Sequence, residues 1–307
     1  MMRTGMAERP VVLITGCSSG LGEALALTLH TSNFQVVATA RRLATVDRLA
    51  ALGIQCLSLD VTDDESVKNA VSEIVKTQGR LDILINNAGL SAIGPIAEQP
   101  LSEVSKVIEA NLFGVIRVTQ AAVPIMAKQG YGLILNIGSV VSQLSTPWSA
   151  AYSASKAGLL AVTDALRLEV KPFGIGVSYV IAGAIESALA NNTTAGAEFE
   201  RYETDSSLYS HWSTSIRMRA HMSQGDSAVP ATKAAGQILA VINKAMKSNP
   251  PKPPTYFFCG GKAKLFWSIG VVQKIFGWPS NAILSRKFGL TGPRKGPPIV
   301  PLAPATS

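Results

Sequence analysis

The feature of this sequence that most constrains its fold is an alternation of short apolar runs with helix-length segments. Each run is rich in β-branched side chains, and the segments between the runs carry apolar residues three and four positions apart. Apolar strands without polar alternation are buried on both faces, as in a parallel sheet covered by helices. The pattern therefore predicts an α/β fold with a doubly wound, parallel seven-stranded sheet and helices on both faces. The predicted strands lie at residues 11–15, 34–40, 54–61, 81–86, 132–138, 175–181 and 255–259.

The composition excludes several other classes of protein. With 47% hydrophobic and 16% charged residues among 307, the chain is too apolar for a disordered protein. Its three cysteines are too few for a disulfide framework, so we expect a reduced, intracellular protein. The N-terminus lacks the apolar core of a secretion signal, and we expect no membrane-spanning segment. The three histidines lack the spacing of a zinc helix, so no metal site is predicted.

A glycine-rich loop, TGCSSGLG at 15–22, follows the first predicted strand and opens the first helix. Gly16 would permit a tight turn, Gly20 would let the backbone approach a pyrophosphate, and Gly22 would let the helix pack on the sheet. The helix N-terminus adds free N–H groups and partial positive charge. A purely structural turn is the alternative, but the position between strand and helix favours phosphate binding. The residues predicted to hold a dinucleotide here are Ile14, Gly16, Ser18, Ser19, Gly20, Leu21 and Gly22.

Residues after the next three strands extend this predicted cofactor site. The second strand ends in ATARR, which places Arg41 and Arg42 where an NAD site usually has an acidic residue. Guanidinium groups suit a 2′-phosphate, so the predicted cofactor is NADP(H); a surface arginine pair at a helix start is the alternative. Four residues after the third and fourth strands are predicted to lie near the adenine and the ribose: Asp60, Val61, Asn87 and Ala88.

The catalytic prediction concerns residues after the fifth strand. Ser139 follows that strand, and Tyr152 and Lys156 stand four positions apart in a segment, 149–170, whose composition predicts a helix. At that spacing the two side chains share one helix face. An ammonium beside a phenol lowers the pKa of the phenol, so Tyr152 can exchange a proton with a carbonyl or alcohol oxygen. Ser139 would hydrogen-bond the same oxygen. Because this Tyr–Lys spacing is common by chance, the ordered set of motifs carries the argument.

These motifs resemble the short-chain dehydrogenase/reductase family over residues 10–260. The resemblance implies a Rossmann-like fold and an NADP-dependent oxidoreductase acting on CH–OH or C=O groups of a small-molecule substrate. By this resemblance, Tyr152 is the proton donor and acceptor, and Lys156 binds the nicotinamide ribose. Asn111 is expected to hold a water molecule that links Lys156 to solvent. The family has Pro-Gly after the sixth strand where this chain has AGAIES, yet Ile185 and Ser187 remain expected cofactor contacts. The resemblance is carried by TGCSSGLG (15–22), NNAG (86–89), Asn111, Ser139 and YSASK (152–156).

Longer segments resemble one group within that family, the fungal NADPH-dependent 1-acyldihydroxyacetone-phosphate reductases. That resemblance implies reduction of a lipid-like ketone in the cytoplasm or at the surface of the endoplasmic reticulum or lipid droplets. A reductase of a fungal secondary-metabolite pathway is one alternative, and a non-catalytic NADP-binding or membrane-peripheral protein is another. Homo-oligomers are common in the family. The segments concerned are ITGCSSG, VVATARR, LDVTDDES, NIGSV, PWSAAYSASKAGL and LRLEVKPFG.

Positive charge is concentrated near the end of the chain. The net charge is +8, yet basic residues and no acidic ones follow Asp226. The segment 261–290 combines lysines with LFWSIGVVQKIF, which is too short to span a bilayer. This segment could lie on an anionic membrane surface or cover an apolar substrate pocket; nucleic acid is not an expected partner because no binding motif accompanies the charge. We expect an N-terminal extension at 1–9, a catalytic domain at 10–260 with a lid at 188–226, this basic aromatic segment, and a disordered tail at 291–307.

The predicted lid is rich in aromatic, methionine and arginine side chains. The aromatic and methionine side chains could line a substrate pocket, and the arginines could bind a phosphate. An ordinary lid helix with a mixed surface is the alternative that we favour on composition. The side chains concerned are Tyr202, Tyr209, His211, Trp212, Arg217, Met218, Arg219 and Met222.

Overall fold

Seven parallel strands form one sheet in the order β3-β2-β1-β4-β5-β6-β7. The computed structural model describes residues 9–186, 197–225, 227–276 and 280–290. The predicted doubly wound α/β fold is confirmed. The strands are β1 Val11–Ile14, β2 Gln35–Ala40, β3 Gln55–Ser58, β4 Ile83–Asn86, β5 Gly132–Ile137, β6 Ile175–Ala182 and β7 Tyr256–Cys259.

Helices connect successive strands and cover both faces of the sheet. A π-helical turn, Glu109–Phe113, joins the fourth helix to the fifth without a break. The α-helices are α1 Gly20–Thr31, α2 Asp47–Ala51, α3 Asp64–Gln78, α4 Leu101–Ile108, α5 Gly114–Gln129, α6 Ala150–Glu169, α7 Ala197–Glu200, α8 Ser213–His221, α9 Ala231–Ala245, α10 Ala263–Phe276 and α11 Ser280–Lys287.

The apolar strands are buried because alternate residues enter two different cores. In β1, Val12 and Ile14 pack in the core that includes side chains of α1 and α9. Val11 and Leu13 pack in the opposite core with side chains of α3 and α5. All four side chains are at most 2% exposed, and burial of each contributes about 2 kcal/mol to folding. The continuous apolar pattern of the strands is thus explained by helices on both sides.

The order of the strands reverses beside β1, which pairs with β2 on one side and β4 on the other. The chain leaves β1 and β4 at the same edge of the sheet, so the loops that follow them flank a crevice. The loops after β2, β3, β5 and β6 end at that edge as well, because all the strands are parallel. Every motif that the sequence places after a strand is therefore brought to one edge.

The third strand is shorter than predicted. We expected it over residues 54–61, but β3 ends at Ser58. The carboxylate of Asp60 accepts hydrogen bonds from the backbone N–H and the hydroxyl of Thr62, at 3.0 and 2.8 Å. An aspartate that binds the backbone two residues on forms a turn, and this turn takes the chain out of the sheet toward α3.

The segment 261–290 packs on the rest of the protein. The ring of Trp267 in α10 lies 5.7 Å from the ring of Tyr256 and 6.2 Å from that of Phe258, between centroids. A Cβ atom at Gly270 would lie 2.8 Å from the carbonyl carbon of Gln143, so α10 rests on the backbone of the loop after β5. Past α11, Phe288 is buried in an apolar cluster with residues of α7 and α8.

The sequence predicted a disordered tail, an N-terminal extension, a lid and no membrane-spanning segment. The predicted tail at 291–307, most of the extension at 1–9 and lid residues 188–196 lie outside the described residues. Among the described helices, the continuous stretch 101–129 is long and apolar enough to cross a membrane by length and composition alone. Its side chains Val118, Ala122 and Met126 are fully buried against the sheet, as in a core helix.

Candidate active site

The glycine loop after β1 is held in a conformation that side chains would disturb. Gly16 and Gly20 have φ angles of +72° and +60°, in the left-handed region that favours glycine. A Cβ atom at Gly16 would lie 2.8 Å from the Cα atom of Ala88. A Cβ atom at Gly22 would lie 2.2 Å from the carbonyl oxygen of Gly16, so Gly22 is needed against the backbone of the loop itself, not against the sheet as we expected.

Thr15 ties this loop to the loop after β4. Its Oγ1 accepts hydrogen bonds from the backbone N–H groups of Asn87 and Ala88, both at 3.0 Å. The Asn87 amide in turn donates to the carbonyl oxygens of Thr15 and Gly16, also at 3.0 Å. Asn87 and Ala88 therefore lie beside the glycine loop, where a ligand on that loop would meet them. The sequence did not single out Thr15, although a buried hydroxyl at a strand end implies such partners.

The N-terminus of α1 offers groups that could hold a pyrophosphate. Ser18 is exposed, and the side chain of Ser19, the N-cap residue, makes no capping hydrogen bond. The first N–H groups of α1 have no partners within the helix, so they can bind an anion. The Ile14 side chain is fully buried and points into the core, so Ile14 can take part only through its backbone. Leu21 is 8% exposed and can take part only through its backbone.

The ends of β2 and β3 carry the residues predicted to contact the rest of a dinucleotide. Arg41 and Arg42 are exposed, and neither forms an ion pair with a described acidic side chain. Asp60 is partly exposed, but one of its carboxylate oxygens is engaged by Thr62. Val61 is 9% exposed, so little of its side chain can meet a ligand. The two guanidinium groups are therefore the unpaired charges at this side of the crevice within the described residues.

The structure brings Ser139, Tyr152 and Lys156 together at the carboxyl end of β5. The helix α6 carries Tyr152 and Lys156 one turn apart, and Ser139 is the first residue of the loop that follows Gly138. Ser139 lies beside Tyr152, close enough for its side chain to lower the pKa of the phenol by hydrogen bonding. The Lys156 Nζ atom lies 5.8 Å from the centroid of the Tyr152 ring and donates to the Ile137 carbonyl oxygen at 2.8 Å. The Tyr–Lys pairing inferred from spacing is thus present.

The pKa values of this cluster differ from our expectation. Burial raises the pKa of Tyr152, and the hydrogen bond with Ser139 and the charge of Arg219 only partly oppose that effect. Burial also lowers the pKa of Lys156 to about 8. The expected acidification of the phenol by Lys156 is therefore not met in the protein alone, because removal from water disfavours both the phenolate and the ammonium. Near neutral pH Tyr152 is a protonated phenol, which can donate a proton.

Asn111 lies in the π-helical turn between α4 and α5 and is fully buried. Its Nδ2 donates to the Leu90 carbonyl at 2.8 Å and to the Ser155 hydroxyl at 3.0 Å, while its Oδ1 accepts from the Leu90 N–H at 2.7 Å. A Cβ atom on Gly89 would lie 3.9 Å from Lys156 Nζ. Asn111 therefore fixes the loop after β4 beside Lys156, and its water-holding role stays a prediction.

Two residues in and after the loop that follows β6, Ile185 and Ser187, were predicted to contact the cofactor. Ile185 is 8% exposed, pairs with Val229 in an isolated bridge and packs in the core, so its side chain is turned away from solvent. Ser187 lies outside the described residues. The backbone of Ala184 exchanges hydrogen bonds with Gly261 at 3.1 and 2.9 Å, which ties this loop to the start of the C-terminal segment.

Comparisons with known proteins match this geometry. The short chain dehydrogenase family model matches residues 10–198. A NADPH-dependent 1-acyldihydroxyacetone phosphate reductase of Schizosaccharomyces pombe is 41% identical over 206 residues, which cover 66% of this chain and 69% of that protein. A short-chain dehydrogenase of Penicillium crustosum is 37% identical over 238 residues, covering 76% and 85% of the two chains. The crystal structure of a short-chain dehydrogenase from Streptomyces avermitilis superimposes with a TM-score of 0.74 at 30% identity, over 92% of this chain and 98% of that one. The chain therefore belongs to the short-chain dehydrogenase/reductase family of oxidoreductases.

Proposed function

We propose that the protein is an NADPH-dependent reductase that transfers a hydride to the ketone of an apolar or lipid-like substrate, with Tyr152 as the proton donor. The observation that carries this proposal is the placement of Ser139 beside Tyr152, with the buried Lys156 Nζ atom 5.8 Å from the centroid of the Tyr152 ring. Burial raises the pKa of Tyr152, which keeps the phenol protonated at neutral pH and suits it to donate to an oxygen. The reduced nicotinamide, when bound, supplies the hydride.

The residues at the crevice fit such a cofactor. A pyrophosphate would lie on the N-terminus of α1 and the glycine loop, where a Cβ atom on Gly16 or Gly22 could not be accommodated. Arg41 and Arg42 would bind a 2′-phosphate, and Lys156 and the Gly89 backbone border the place for a nicotinamide ribose. The relative from Schizosaccharomyces pombe is named as NADPH-dependent, which supports the choice of NADPH.

Each catalytic side chain then has a separate task. Ser139 hydrogen-bonds the carbonyl oxygen and orients it toward Tyr152, which gives up its proton as charge develops on that oxygen. Lys156 holds positive charge beneath the phenol ring and favours the phenolate that remains. Asn111 keeps the loop after β4 in place beside Lys156. The names of the relatives support an apolar substrate, since one of them is a 1-acyldihydroxyacetone phosphate reductase.

The test is oxidation of NADPH, followed by its absorbance, with a panel of apolar and acyl-substituted ketones. We expect Tyr152→Phe to lose about a thousandfold or more in kcat, and Ser139→Ala to lose about a hundredfold. The matched control is Tyr256→Phe, because Tyr256 lies at the surface of β7 and should leave turnover unchanged. Full activity of Tyr152→Phe would contradict the proposed role.

The choice of cofactor is tested separately with the double substitution of Arg41 and Arg42 by alanine. Loss of two charge-assisted contacts should raise the KM for NADPH about tenfold or more and leave the KM for NADH unchanged. A wild-type enzyme that turns over faster with NADH than with NADPH would contradict this assignment.

Association with a membrane or lipid-droplet surface is a second proposal, supported by the outer face of α10. Leu265 and Ile275 are 55% and 66% exposed, and Lys264 beside them is exposed as well. Exposed apolar and basic side chains on one helix suit an anionic lipid interface. Flotation with anionic vesicles should retain the wild type and release a Leu265→Ser/Ile275→Ser variant. Equal flotation of the two proteins, or none of either, would reject the proposal.

A further inference from the structure

Three arginines occur in the described part of the lid, and two of them are paired with glutamates. Arg201 forms an ion pair with Glu103 at 2.7 Å. Arg217 donates from Nε to Glu203 at 2.6 Å, and its guanidinium also lies over the Phe199 ring, 5.6 Å from the centroid. The first pair joins the lid to α4, and the second lies within the lid. Their charges are neutralised and so are not free to recognise a ligand.

Arg219 differs from these two arginines in burial and in its partners. It lies in α8, is only 9% exposed, and donates from Nε to the Thr146 hydroxyl at 2.9 Å. Within the described ranges no carboxylate lies within 4 Å of it, and its two Nη groups donate to no described residue. A buried cation without a counter-charge costs several kcal/mol, so a partner for this guanidinium is expected when the protein works.

The hydrogen bond to Thr146 places Arg219 beside the loop that follows β5. Thr146, which orients it, belongs to the loop that starts at Ser139 and leads into α6. The charge of Arg219 lowers the pKa of Tyr152, and the phenolate in turn raises that of Arg219. Burial lowers the pKa of Arg219 to about 10, which leaves the guanidinium charged at neutral pH.

We propose that Arg219, positioned by Thr146, binds an anionic group of the substrate, a phosphate or a carboxylate carried a few bonds from the reacting ketone. The free Nη groups present the planar fork that matches either oxyanion. Trp148 supplies a second buried donor on the same loop, since its indole N–H has no acceptor among the described residues. Ile216 and Ala220 of the same helix belong, with Trp148, to an apolar cluster beside this guanidinium, which suits a ligand whose anionic group is attached to an apolar part.

This inference rests on the proposed function for the reacting ketone, but its test measures binding without turnover. The probes are octyl phosphate, octanoate and the uncharged octanol, titrated calorimetrically into the enzyme saturated with NADP⁺. Wild type should bind octyl phosphate or octanoate, and Arg219→Met should weaken that binding about thirtyfold while binding octanol as before. Whether octyl phosphate or octanoate binds more tightly identifies the anion. Arg217→Met is the matched control, since it removes a lid arginine that already has a glutamate.

The outcomes separate the inference from the proposed reaction. The inference is overturned if Arg219→Met binds the anionic probes as tightly as wild type, if it loses octanol to the same extent, or if Arg217→Met loses as much. Tyr152→Phe should bind the probes like wild type, because the anion site does not need the phenol. A wild type that binds octyl phosphate through Arg219 but reduces no ketone would overturn the proposed reaction and leave the anion site standing.

Discussion

Replacement of Lys156 by methionine should make the cofactor-free protein more stable at neutral pH. Burial lowers the pKa of Lys156 from 10.5 to about 8, so the folded state binds its proton less tightly than the unfolded state. Between pH 8 and 10.5 the unfolded state therefore holds more protons, and the free energy of unfolding of the wild type rises with pH in that window. At pH 7 the penalty for the buried ammonium is about 3 kcal/mol.

The methionine variant removes this penalty and also the hydrogen bond from Nζ to the Ile137 carbonyl, which contributes about 1 kcal/mol. We therefore expect Lys156→Met to be about 2 kcal/mol more stable than wild type at pH 7. At pH 9.5 only about 1 kcal/mol of the penalty remains, so the two proteins should be nearly equal in stability there. Between pH 7 and pH 9.5, the stability difference between Lys156→Met and wild type should therefore fall by about 2 kcal/mol. This change does not depend on the value assigned to the hydrogen bond.

The assay is urea unfolding of the cofactor-free proteins, followed by circular dichroism at several pH values from 7 to 9.5. Other groups that titrate in this range are common to both proteins and cancel in the difference. The exposed Lys171 gives a control variant, Lys171→Met, whose stability curve should run parallel to that of wild type. If the Lys156→Met curve also runs parallel to the wild type, the ammonium is not destabilised by burial and the argument fails.

Two further predictions concern the packing beneath the site. Gly138→Ala should lower the free energy of unfolding by about 3 kcal/mol, because the new Cβ atom would lie 1.9 Å from the Tyr179 ring; Gly236→Ala, in open space on α9, should instead raise it by up to about 1 kcal/mol. Asp82→Ala should lower the free energy of unfolding by about 3 kcal/mol. The fully buried Asp82 carboxylate accepts hydrogen bonds from the Val11 N–H, at 2.8 Å, and from the Arg80 guanidinium, and both donors would lose their acceptor. Chemical unfolding measures each change, and a Gly138→Ala protein as stable as wild type or an Asp82→Ala loss below about 1 kcal/mol would show the reasoning to be wrong.

The fold and the meeting of Ser139, Tyr152 and Lys156 could be predicted because they depend on local patterns. Continuous apolar strands imply two covered faces, and a parallel sheet brings every residue after a strand to one edge. Ser139, Tyr152 and Lys156 meet for that reason and because i,i+4 residues share a helix face. The end of β3 was missed because the Asp60 turn competes with the sheet through a side-chain hydrogen bond that strand propensity does not include.

The parts of the site that the sequence could not predict depend on tertiary packing. Arg217 and Arg219 are two positions apart in one helix, so they point to different faces, and only the docking of α8 decides which of them turns inward. The pKa of Tyr152 was predicted in the wrong direction because spacing indicates a neighbouring charge but not the depth of burial. Ile14 likewise stands at the edge of the glycine loop in sequence, yet the alternation of β1 sends its side chain into the core.

The last helices are synthesised after the backbone on which they pack, since Gly270 of α10 lies against Gln143. A ribosome completes all seven strands and α6 before it adds α10, which rests on the loop leading from Ser139 to α6. A shortened transcript that ends before Ala263 would still encode an intact sheet and its nucleotide crevice. The loop from Ser139 to α6 would lack its outer support in such a product, so the residues beyond the sheet help to hold the candidate site in place.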